Sequence, residues 1–136
     1  MTEEQKRLVQ ASFQQLAPVL DVLAELFYGR LFDLDPDLRQ LFTGNIRVQG
    51  RKLMEMLAVL VSGLDHPDAV QPQLEALGAR HRQYGVTRSG YLTAASALMW
   101  TLEVSLGTAF TPQLRQAWAA AYTLLVESMQ TPAQAR

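Results

Sequence analysis

The stretch Leu74-Glu75-Ala76-Leu77-Gly78-Ala79-Arg80-His81-Arg82-Gln83-Tyr84-Gly85 decides how this chain is read. Leu74, Leu77, His81 and Tyr84 recur at helical spacing, so they share one face of a helix running from about Gln71 to Gln83 and stopping near Gly85. Leucines stand four and seven residues before His81, which puts the imidazole on the buried register. A buried imidazole with no partner costs roughly 1–3 kcal/mol. Either a structural hydrogen bond or a metal ion must satisfy it, and neutral imidazole is a common metal ligand.

The helical period extends outward from this segment in both directions. Thr2 followed three residues later by Gln5 forms a capping box and opens a first helix through about Leu16. Pro18 opens a second, to about Phe32. Asp35-Pro36 is a capping Asp before a first-turn Pro, which predicts a short helix to about Leu41. Thr43-Gly44-Asn45 reads as a loop. A long helix follows from about Arg47 to Gly63, with Ile46, Leu53, Met56, Leu57, Leu60 and Leu64 as its apolar stripe. Gly63 to Asp68, containing Pro67, breaks it. Past Gly85, a helix from about Arg88 to Leu106 ends at Gly107. The last is capped at Thr111-Pro112 and presents Leu114, Trp118, Ala121, Tyr122, Leu125 and Met129. No run alternates with period two for long enough to be a strand. The reading is all-α, about seven helices, one of them very short.

Two further polar residues fall on apolar faces. Gln49 interrupts the stripe of the long helix, and its amide has four hydrogen-bonding sites to satisfy. Tyr28 lies among Leu23, Ala24, Phe27, Leu31 and Phe32, yet its hydroxyl needs a partner. One imidazole facing an amide and a phenol from two other helices is the donor arrangement of a buried gas site. The only other histidine, His66, sits in the Pro-containing loop and is expected to be solvated. A zinc site would want three or four protein ligands, and the chain has no cysteine. A cofactor bringing four ligands of its own needs one from the protein, and haem is such a cofactor.

Composition sets the outer bounds. At 136 residues the chain fits one domain, and 49% hydrophobic residues are enough for a core. A net charge of -1 offers no basic surplus for a nucleic acid or an anionic membrane surface. The charged start, Met1 to Arg7, has no apolar leader, and the longest apolar run, Met56 to Val61, is far short of a membrane span. A cytoplasmic protein is the expectation.

From about Glu4 to Met129 the chain resembles the globin family. It is most similar to the bacterial single-domain globins that are like neuroglobin, and to the haem domain of flavohaemoglobins. The resemblance rests on Phe27-Tyr28-Gly29-Arg30-Leu31-Phe32, Asp35-Pro36-Asp37-Leu38 and Leu41-Phe42, then on Gln49-Gly50-Arg51-Lys52-Leu53-Met54. It continues through Leu77 to Val86 around His81 and through Leu106-Gly107-Thr108-Ala109-Phe110-Thr111-Pro112 with Ala117-Trp118. It implies a three-over-three helical sandwich, residues 1–136 forming a single globin domain, around haem b (iron protoporphyrin IX).

On this resemblance His81 ligates the iron, with its other N–H held by a backbone carbonyl such as that of Leu77. Phe42, Leu53, Leu77, Val86 and Tyr122 pack the porphyrin. Lys52 and Arg80 either pair with the propionates or are ordinary solvated charges. Tyr28 and Gln49 stand on the gas side. Neuroglobins carry an iron-binding His where this chain has Gln49, so the resemblance implies an open sixth position, with Tyr28 or Lys52 as residues that could fill it in the ferric state. Flavohaemoglobins pair a proximal Tyr, matched by Tyr91, with a Glu whose place falls near Ala133, so that pair looks incomplete.

The implied function is reversible, high-affinity oxygen binding at a pentacoordinate ferrous iron, stabilised by hydrogen bonds from Tyr28 and Gln49. Each charge-assisted donor is worth roughly 1.5–3 kcal/mol, or about 10- to 100-fold in release. Carbon monoxide, less polarised, should gain less. Within the family's range of oxygen transport and storage, such tight binding fits scavenging or sensing better than bulk transport. The alternatives are nitric-oxide dioxygenation with a separate reductase, since no Gly-rich dinucleotide fingerprint is present, and a haem-based sensor. A haem-free helical module is the competing reading outside the family.

Overall fold

Apart from the one that opens at Leu20, the α-helices of this chain start where a side-chain oxygen accepts from a first-turn N–H or a proline removes one of those donors. The computed structural model describes residues 1–42, 44–83 and 86–130. Among them are α1 (Glu3–Leu16), α2 (Leu20–Leu34), α3 (Ile46–Ser62), α4 (Pro67–Gln83), α5 (Arg88–Leu106) and α6 (Pro112–Gln130). Thr2 and Gln5 close the expected capping box on α1. The side chains of Asn45, Thr87 and Thr111 accept from the first turns of α3, α5 and α6. The short helix expected after Pro36 is a 3₁₀ segment, Pro36–Leu41, capped by Asp35. Gly107, which ends α5, has φ +56, a value that other residues rarely adopt. No described residue lies in a strand.

One helix start differs from its expectation. Gly63 to Asp68, containing Pro67, reads as a break, which places the opening of α4 at about Gln71. In the structure α4 opens at Pro67, where a fixed φ suits the first helical position. Pro72 lies inside α4 and removes one backbone donor there. Thr43, Tyr84, Gly85 and the segment from 131 onward, which contains Ala133, lie outside the described residues.

The helices form a three-over-three sandwich. In one layer α1 packs on α3; in the other α2 packs on α5 and α5 on α6; α1 and α4 rest on α6, and α3 on α2. Val9, Leu23, Leu102 and Trp118 are almost wholly buried at the centre. Each such side chain contributes roughly 1.5–3 kcal/mol relative to an exposed one. Trp118 donates from Nε1 to Ser12 Oγ at 2.9 Å, which ties α6 to α1 and satisfies an otherwise stranded indole N–H. No described helix is long and apolar enough to cross a membrane.

The stripe read along α3 divides into two faces. Gly50, Met54, Leu57 and Val61 are buried in the main core. Gln49, Leu53, Met56 and Leu60 form the adjacent face, half-buried except for Leu60. Ile46, counted in the stripe, is exposed. The division arises because α2 and α1 cover the first face closely, while α4, which follows after a turn of only residues 63–66, does not pack closely on α3. Gln10 holds that turn by donating to the Val61 carbonyl and to Asp65 Oδ2, both at 3.2 Å. Gly63 is required there, since a Cβ would stand 2.5 Å from Val70 Cγ1.

Candidate functional site

The crossing of α2 and α3 brings the first set of candidate residues together. Gly50 permits it: a Cβ there would sit 3.0 Å from the Ala24 Cβ and 3.9 Å from Tyr28 Cε2. A glycine inside a helix is destabilising by roughly 0.5–1 kcal/mol, and the close approach is what that cost permits. The crossing sets Tyr28 beside α3, with its hydroxyl 3.5 Å from the Gln49 backbone carbonyl. That is the outer limit of a hydrogen bond, so the hydroxyl is loosely engaged. The Tyr28 ring is held firmly: Phe27, Phe32 and Phe42 lie around it with centroids at 5.2, 5.9 and 5.3 Å. Burial pushes the Tyr28 pKa up to about 12, so the group stays a neutral donor near pH 7.

The second set gathers on α4, α5 and α6. His81 Nδ1 lies 2.8 Å from the Leu77 carbonyl, the bond expected one turn earlier in the helix. The Nδ1–H tautomer donates to that oxygen and leaves Nε2 as the nitrogen with a lone pair. Burial is the main cause that lowers the His81 pKa, ahead of the opposing Leu77 bond and the nearby Arg80 charge. The ring is therefore neutral near pH 7, the protonation state a metal ligand needs. On its other side the Tyr91 ring lies nearly parallel, 6.1 Å between centroids with planes 20° apart. Tyr122 donates to the Tyr91 carbonyl at 2.7 Å. Leu77, Val86, Tyr91 and Tyr122 belong to one apolar cluster with Leu60, Leu74 and Leu125, whereas Phe42 and Leu53 pack on the main core. Lys52, Arg80 and His66 are exposed.

The candidates thus form two groups: Tyr28 on α2, Phe42 after the 3₁₀ segment and Gln49 on α3 in one, and Leu77, His81, Tyr91 and Tyr122 along α4, α5 and α6 in the other. Two grooves are larger features of the surface. One, about 570 Å³, lies between α2 and α3 and is lined by Tyr28, Gly50, Arg39, Arg47 and Arg51 among others. The other, about 930 Å³, lies between α5 and α6 and includes Tyr91, Trp100, Tyr122 and Glu127. Neither is lined by His81, so size alone does not mark where a metal would be held. Glu127 is the acidic residue of α6 that shares a groove with Tyr91; the position near Ala133 lies outside the described residues.

The donor set fits haem. Among the described residues no three His, Asp or Glu side chains gather as a metal site. A protein-built site is therefore not formed there, while one neutral, oriented imidazole is what a cofactor with four ligands of its own requires. Sequence reasoning missed two parts of this arrangement. The role of Gly50 was signalled by a glycine inside a helical pattern. The tie from Tyr122 to a backbone carbonyl leaves no side-chain pattern to read.

Comparison with known proteins agrees with this geometry. A family model described as Globin matches residues 25–129. Neuroglobin-1 of Oncorhynchus mykiss is 30% identical, over 95% of this chain and 90% of its own length. Neuroglobin of Chaenocephalus aceratus is 29% identical over the same shares. Among solved structures, an engineered carbene transferase described as a putative nitric oxide dioxygenase from Rhodothermus marinus superposes with a TM-score of 0.89 at 28% identity. That match covers 99% of this chain and 95% of the other.

Proposed function

Because this chain belongs to the globin family, we propose that it is a single-domain oxygen-binding globin that holds haem b through His81. Haem b, held by His81, would supply a ferrous iron that binds a diatomic gas. Everything else falls to the residues of the chain.

His81 presents Nε2, because Nδ1 is committed to the Leu77 carbonyl. That bond fixes the tautomer and raises the basicity of the ligand nitrogen. Phe42, Leu53, Leu77, Val86, Tyr91 and Tyr122 supply apolar wall and exclude water. Lys52 on α3 and Arg80 on α4, both exposed, would pair with the propionates; each exposed pair is worth at most about 1 kcal/mol. Opposite them, Tyr28 and Gln49 serve the gas. Tyr28 holds its proton well above neutral pH, and its weak bond to the Gln49 carbonyl is easily exchanged for a better acceptor. A polarised ligand such as oxygen gains more from such donors than carbon monoxide. The role that follows is tight oxygen binding for storage, scavenging or sensing.

The observation that carries this reading is the His81 imidazole, its Nδ1 held by the Leu77 carbonyl and its Nε2 left with a lone pair, on a helix that stands off from α3. Titrating the purified chain with haem tests it. The expected result is a 1:1 Soret-absorbing complex that His81→Ala loses; a His81→Ala complex of unchanged affinity and spectrum overturns it.

A second reading, nitric-oxide dioxygenation with an external reductase, is favoured by the likeness to the putative dioxygenase. Catalytic consumption of nitric oxide beyond one equivalent per haem, with oxygen and a reductase present, decides for it. Consumption that stops at one equivalent decides against it.

A further inference from the structure

We infer that Tyr122 is a positioning residue for the iron ligand, acting through Tyr91 on the plane of the His81 ring. The inference rests on the haem reading above. Three helices meet at this point, and each contributes one residue. His81 rides on α4, Tyr91 on the first turn of α5, and Tyr122 midway along α6. Within α4 the Leu77 bond holds Nδ1 but leaves the ring able to rock about it. The Tyr91 ring, nearly parallel at 6.1 Å, limits that rocking.

Tyr91 can do so only if the first turn of α5 is itself held. Val86 and Thr87, just ahead of α5, are not helical, so no continuous helix fixes the start of α5 to α4. The Tyr122 hydroxyl makes the connection, donating to the Tyr91 carbonyl at 2.7 Å. Burial pushes the Tyr122 pKa up, with the neighbouring Tyr91 adding to the shift, so the hydroxyl keeps its proton at any ordinary pH. Since α4 also packs on α6, α6 is the common platform. A backbone bond from the Val86 N–H to the His81 carbonyl at 3.1 Å bridges α4 and the start of α5; the α4–α6 packing and the Tyr122 hydrogen bond add two attachments through α6. The residue sits in the wall expected to pack the porphyrin, but its hydroxyl is spent on orientation.

Tyr122→Phe keeps the ring and removes the bond. In the haem-loaded protein, the iron–histidine stretching band of the ferrous form should broaden or shift in resonance Raman. Haem loss to an acceptor apoprotein should speed up roughly 2- to 10-fold, the scale of one buried hydrogen bond. In a Tyr91→Leu background the same substitution should change neither quantity further. An unchanged band in Tyr122→Phe, with only a lower melting temperature, overturns the inference and leaves Tyr122 a structural residue. Equal effects of Tyr122→Phe with and without Tyr91→Leu also overturn it. Should Tyr122→Phe fail to fold, Tyr91→Leu alone decides, because an unmoved iron–histidine band there removes the link between Tyr91 and the ring. Failure of the haem reading is separately visible, since His81→Ala would then retain the wild-type Soret complex.

Discussion

Replacing Tyr28 with Phe separates what this residue does for the fold from what it does for a ligand. The Tyr28 ring is 8% exposed and is enclosed by Phe27, Phe32 and Phe42. Phe preserves all of that contact. Among the described residues, the hydroxyl bonds to the Gln49 carbonyl at 3.5 Å. A bond that long contributes at most about 0.5 kcal/mol, the low end of the net range. Stability by urea unfolding should therefore change by no more than about 0.5 kcal/mol. Oxygen release should change far more. A charge-assisted donor is worth roughly 1.5–3 kcal/mol, so its removal speeds release about 10- to 100-fold. Carbon monoxide release should rise only a few-fold. Stopped-flow displacement of oxygen and of carbon monoxide from the ferrous protein measures both. Equal acceleration of the two gases would refute the reasoning, since steric opening of the pocket acts on both alike. A stability loss of several kcal/mol would refute it too, because the hydroxyl would then be a structural group.

Other outcomes follow from the packing. Gly50→Ala places a Cβ 3.0 Å from Ala24; overpacking of about 1–3 kcal/mol outweighs a helix-propensity gain near 1 kcal/mol. Unfolding titrations should show a net loss that Ala24→Gly partly reverses in the double variant, and additive losses would contradict the contact. Ser12→Ala strands the buried Trp118 N–H and should cost about 1–3 kcal/mol by the same assay; a neutral result would mean that another acceptor takes over. Raising pH should destabilise the apoprotein between about 10 and 12. In that window the unfolded Tyr28 ionises while the folded one holds its proton, so the unfolded state binds fewer protons and stability falls. Tyr28→Phe should flatten that part of the pH profile, and an unchanged slope would remove the group from the account.

Much of this fold was legible because its signals are local. Capping at Thr2, Asp35 and Thr111, and the glycine at 107, are side chains or backbone conformations written at single positions. The Leu77–His81 bond was legible for the same reason, as a contact one helical turn long. The opening of α4 was not, because Pro67 and Pro72 are alike in sequence while one occupies the favourable first position and the other an interior one. The two faces of α3 were merged because neighbouring stripes on a helix differ by only one residue. Their separation depends on α2 covering one face and α4 standing off from the other, which is tertiary information. The Tyr122 bond was illegible for a further reason: its acceptor is a backbone carbonyl, which every residue carries.

The central claim is that one histidine holds a haem whose opposite face is open. The absorption spectrum of the ferrous protein, recorded without and then with oxygen, tests it most directly. The account predicts a single broad visible band of a pentacoordinate iron that splits into two on adding oxygen, and the loss of the complex in His81→Gly, restored by free imidazole. A six-coordinate ferrous spectrum before any gas is added, or a His81→Gly protein with the wild-type spectrum and no added imidazole, would contradict it.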